Sequence, residues 1–187
     1  IIGPIVTFAA FPFWPQVPTA SEELIELVKN GQQSILLILL FTTGMTLLFC
    51  GLSIASREVA SSDTKNSSLA IPAAILFPIG MAVIAIGSAL NIGALQMFET
   101  SPDMAHIVYL IGYHSFDASG VFLFLSFALL GTALITGYER MICKIIGALY
   151  VVVAIAHFSG LFFTPNSNAD FVGFIGMFIV SILFGIV

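Results

Sequence analysis

Few side chains in this 187-residue sequence are able to do chemistry, and most of them fall toward one end of its apolar segments. On a continuous helix His106, Tyr113, His114 and Asp117 come close to one face, because residues three and four apart are neighbours there. His157 precedes the end of a later apolar run by about six residues, roughly 9 Å of helix. Asn91 takes a comparable depth in an earlier run, with Gln96 and Glu99 above it. Imidazole and carboxylate are suitable metal ligands, so His114, Asp117 and His157, joined by Glu99 or Asn91, form a candidate site for a metal, a proton or a polar ligand. His114 and His157 alone, on adjacent antiparallel helices, would make an axial pair for a haem. In a plainer reading, His114 and Asp117 pair at an interface while His157 bonds a backbone carbonyl of a neighbouring helix. Both readings stay open in the sequence, which names no cofactor.

Other chemistry lacks support. There is no His-Glu-x-x-His, no phosphate-binding glycine loop and no Gly-x-Ser-x-Gly elbow. The apolar runs contain no Lys for a Schiff base, and their centres lack the carboxylates that ion-coupled transporters place there.

The elements that position these groups follow from composition. Hydrophobic residues make up 59% of the chain and charged residues 8%, against about 25% charged in soluble domains. Mean hydropathy is +1.11. Apolar runs near the roughly 20 residues needed to cross a bilayer recur with short connections. The pattern predicts an all-α integral membrane bundle of about six transmembrane helices, one domain over residues 1–187, with short surface helices on its outer side. The expected spans are 1–11, 34–55, 69–97, 113–137, 141–163 and 171–187. The first and last begin and stop inside apolar runs, so both ends read as truncated.

Thr19-Ala20-Ser21-Glu22 reads as a capping box opening a short helix that Asn30-Gly31 stops, with Leu24, Ile25, Leu27 and Val28 resting it on the membrane surface. Ser101-Pro102 opens another helix. Unbroken to Tyr138 it would be about 55 Å long, beyond a bilayer core of about 30 Å, so a break is expected near Gly112. Ala73, Gly80, Gly87 and Ala94 recur every seven positions, and Ala169, Gly173, Ser181 and Gly185 follow a period of four. Such small-residue faces allow close helix packing, within the bundle or with other membrane subunits. Thr42, Thr43 and Thr46 are expected to bond their own helix backbone.

Arg57, Lys65, Arg140 and Lys144 flank one set of loops and only Lys29 the other, which makes loops 56–70 and 137–144 cytoplasmic in a bacterial cytoplasmic membrane. The Asn66-Ser67-Ser68 sequon is then silent, and Cys50 and Cys143 remain reduced thiols. A net charge of −5 with no basic stretch excludes nucleic acid as a partner, leaving the lipid bilayer and other membrane subunits.

The segment His114-Ser115-Phe116-Asp117, the turn Gly137-Tyr138-Glu139-Arg140-Met141-Ile142 and the following Ile146-Gly147-Ala148-Leu149 resemble the six-helix bacterial membrane proteins of the domain-of-unknown-function 4386 type. The order of spans and the helical outer loop after the first extend the resemblance over most of the chain. It implies the six-helix fold and brings no activity or site residues. The expected function is a non-catalytic bundle, either an accessory subunit of a membrane complex or a binder of a lipid-like small molecule. The alternative is a membrane enzyme or cofactor protein using the His and Asp cluster, with a transporter as a third reading.

Overall fold

The computed structural model describes residues 1–15, 17, 19–163 and 168–186. All regular structure among them is helical: α1 (Ile2–Ala10), α2 (Ala20–Asn30), α3 (Gln32–Ser61), α4 (Ala70–Met97), α5 (Pro102–Gly137), α6 (Met141–Phe163) and α7 (Asn168–Ile186). Four helical segments are long and apolar enough to cross a membrane, namely Gln32–Ser61, Ser67–Met97, Pro102–Gly137 and Met141–Gly160. The first and sixth expected spans appear as shorter apolar segments, Ile2–Phe13 and Gly173–Ile186, so the described residues supply four helices of spanning length. Of the turn expected at 164–168, residues 164–167 lie outside the described residues, as do the side chains of Ala169 and Asp170, while Asn168 begins α7.

Six of the helices close a ring, each packed on the next: α1 on α3, α3 on α4, α4 on α5, α5 on α6, α6 on α7, and α7 back on α1. Aromatic rings fill its centre. Phe77 packs on Phe49 and Phe127, with centroids 5.8 and 5.2 Å away, and Phe127 stacks on Tyr150 at 5.0 Å. Large aliphatic side chains point outward instead, among them Leu36, Ile54, Ile75, Ile86, Val152 and Ile155, each at least half exposed. An apolar exterior around an equally apolar core is the arrangement expected where hydrocarbon replaces water as solvent.

The seven-residue stripe on α4 is spent on α5. Ala73 and Ala94 are fully buried, and a Cβ built on Gly87 would stand 2.8 Å from the Gly112 carbonyl oxygen. That close approach corrects the expected break: Gly112 lies inside an unbroken 36-residue helix, because its missing side chain admits α4 rather than bending the chain. On α7, Gly173 packs on the His157 backbone and Ser181 lies 3.4 Å from the Tyr150 hydroxyl, so this face too is used within the bundle. The Thr42 and Thr46 hydroxyls reach carbonyls four residues back at 2.8 Å, and Thr42 also lies 2.7 Å from the Ser88 hydroxyl on α4.

Arg57 in the last turns of α3, Lys65 and Arg140 in the loops, and Lys144 in the first turn of α6 belong to one end of the ring. There Gly137 abuts Thr64, and the Tyr138 hydroxyl lies 3.5 Å from that of Ser62. The opposite end is covered by α2. Thr19 caps this helix, accepting from the Glu22 N–H at 3.3 Å, and Gly31, at φ +52°, turns the chain straight into α3. Of the four residues expected to rest α2 on the membrane surface, two pack on protein instead. Leu24 and Leu27 are each 1% exposed, packed with Ala94 and Tyr109, while Ile25 faces outward. The first turns of α5 and the end of α4 form a protein shelf that buries this face.

Candidate functional site

Four polar contacts hold α2 to its neighbours. Ser21 meets His106 Nε2 at 3.4 Å, the Ser34 hydroxyl donates to the Leu27 carbonyl at 2.7 Å, and Glu23 is bound from two sides. Its Oε1 accepts from the Tyr109 hydroxyl at 2.7 Å and from the Trp14 indole N–H at 3.0 Å. Both donors fall on the same oxygen, and Oε2 takes neither. The side chain is 9% exposed. Burial pushes the Glu23 carboxyl above the usual range, against the smaller opposing pull of the Tyr109 and Trp14 hydrogen bonds. The only ion pairs among the described residues are Lys29 with Glu26 and His114 with Asp117, so no cationic side chain reaches Glu23.

Glu23 forms part of the wall of a cavity of about 280 Å³, completed by Phe11, Trp14, Phe41, Asn91, Tyr113, Phe116, Asp117 and Phe174. The lining residues come from the α1–α2 connection and from five helices. Phe41 is central to the aromatic wall, its ring centroid 5.5 Å from Trp14, 5.9 Å from Phe116 and 6.3 Å from Phe11; Phe11 continues to Phe174 at 5.5 Å. Asn91 is 2% exposed, with its Oδ1 against Gly112 and without a hydrogen-bond donor. Six aromatic side chains, two carboxyl groups and one amide therefore face a single space, with no Lys or Arg among them.

The sequence-predicted residues are distributed differently from the triad expectation. His114 Nδ1 lies 3.1 Å from Asp117 Oδ2, and both side chains are more than half exposed. Asp117 also stands at the cavity wall. His157 is 8% exposed, its ring stacked on Phe124 at 3.7 Å, and a Cβ on Gly120 would come within 2.5 Å of its Nε2. Gly120 is six residues beyond His114, about 9 Å along α5 and some 120° around it. The exposed pair and the buried imidazole are thus separate. Among the described residues no three His, Cys, Asp or Glu side chains are grouped to hold a metal. The His157 ring lies against Phe124 and Gly120 rather than beside the exposed His114. Glu99 and Gln96 are exposed near the end of α4 and are not part of this wall.

No protein-family model, curated protein or solved structure matches the chain. Function must be read from the cavity itself.

Glu23 and Trp14 are functional candidates that local spacing did not single out. A signal for Glu23 was present: it precedes Leu27 by four residues and so shares the apolar face that α2 buries.

Proposed function

We propose that this chain is a non-catalytic membrane helix bundle that binds a lipid-like small molecule in the cavity beneath α2. The observation carrying the proposal is the cavity wall: aromatic and mostly apolar, with a few convergent polar groups, the usual make-up of a small-molecule site. Its volume of about 280 Å³ suits a head group or a small ligand. Use of the small-residue faces between α4 and α5, and between α6 and α7, favours a binder over an accessory subunit, since those faces were the motive for partner subunits. Among the described residues no group of three metal-ligating side chains supports the metal alternative, which favours the binder.

The same proposal places six helices across a bacterial cytoplasmic membrane, in the manner of the domain-of-unknown-function 4386 type, with α2 and the cavity on the outer side. Clustering of Arg57, Lys65, Arg140 and Lys144 at the opposite end supports that orientation, because basic loops are retained in the cytoplasm. Protein purified from its native membrane in a mild detergent should retain about one lipid-like molecule per chain, identified by mass spectrometry of the extract. Thoroughly washed protein that carries none, and regains none from added membrane extract, would overturn the proposal.

A further inference from the structure

We infer that the head group held in this cavity is an organic cation, an alkylammonium. The inference rests on the binding role proposed above and adds the chemical class of the ligand. Three observations converge on it. Glu23 is a carboxylic acid 9% exposed, held by two neutral donors and reached by no cationic side chain among the described residues. A buried carboxylate without a counter-ion is costly, and a cation beside it removes most of that cost. The space adjoining Glu23 is walled by Trp14, Phe41 and Phe116 with ring centroids 5.5 to 5.9 Å apart, and aromatic faces attract an ammonium group through their quadrupoles. Among the described residues no Lys or Arg lines the wall to take that position. Asp117 adds a second carboxyl at the rim, with its Oδ2 shared with His114. Glu23 is therefore the main source of negative charge inside.

A metal ion is a poorer occupant, because it needs several oxygen or nitrogen ligands within reach, whereas among the described residues six of the nine lining side chains are aromatic. An alkylammonium needs few acceptors and many apolar contacts, and its tail would extend toward lipid.

Trp14 is the only tryptophan in the chain and stands in the cavity wall, so its emission reports occupancy. The test titrates purified protein in maltoside micelles at pH 8 with dodecyltrimethylammonium and, separately, with dodecyldimethylamine oxide, which has nearly the same shape and no net charge at that pH. Wild-type protein should bind the ammonium roughly tenfold or more tightly than the amine oxide. Glu23→Gln keeps an acceptor for Tyr109 and Trp14, and should lose that preference while still binding the amine oxide. Equal binding of the two by wild type, or a preference that survives in Glu23→Gln, overturns the cationic head group and leaves the amphiphile site standing. Failure of both to change Trp14 emission in wild type removes the site and this inference together.

Discussion

A carboxyl group withdrawn from water holds its proton more firmly, and Glu23 is so placed, with burial raising its pKa more than its two donors lower it. The sign of the linked stability follows. The folded state binds the proton better than the unfolded chain, so the contribution of protonated Glu23 is complete below the ordinary carboxylate range and is lost as pH rises through the elevated folded value. Glu23→Gln removes that loss while keeping an acceptor for Tyr109. Thermal unfolding in detergent should therefore show Glu23→Gln matching wild type at low pH and exceeding it increasingly as pH rises, in the absence of ligand. Glu23→Ala should instead be less stable by about 1–3 kcal/mol, because it strands the fully buried Tyr109 hydroxyl. The chemistry of His114 and Asp117 was readable as an i,i+3 pair, because such a pair needs only the local helix. Their distance from His157 was not, since it depends on how α6 is rotated against α5.

Helix pairing turns on a few glycines, and they do not all do the same thing. Gly87 and Gly112 bring α4 and α5 into backbone contact, so a methyl group at Gly112 must displace the Gly87 carbonyl and the Asn91 amide. Gly112→Ala should cost about 1–3 kcal/mol by overpacking. Gly93, one turn from the contact, has nothing within 4 Å of a built Cβ, and Gly93→Ala should stabilise by up to about 1 kcal/mol through helix propensity. Unfolding of both variants in the same detergent checks the pair, and equal effects would show that α4 and α5 are not in contact at Gly112. The α4 stripe was visible as a seven-residue period, while the role of Gly112 was hidden. An isolated glycine in a long apolar run reads equally as a break or as a contact, and only the partner helix decides. The same holds for α2. Its cap and its stop at Gly31 are local features and were legible, whereas the shelf that buries Leu24, Leu27 and Glu23 is made by α5 and the end of α4, both distant in sequence.

At the scale of the whole molecule, composition alone announced helices in a lipid solvent, and four of spanning length are present among the described residues. The cavity could not be read the same way. Its wall draws Phe11, Trp14, Glu23, Phe41, Asn91 and Phe174 together from distant stretches of chain, and no local spacing encodes that meeting. The ring of helices, closed by α1 against α7 and covered by α2, is what brings these aromatics into one shared wall. Photoaffinity labelling with a diazirine-bearing alkylammonium amphiphile, followed by peptide mapping, tests this most directly. Adducts should concentrate at residues 11–14, at Phe41 and at 113–117. Adducts spread over outward faces such as Leu36, Ile79 and Val152, with none at the cavity wall, would contradict it.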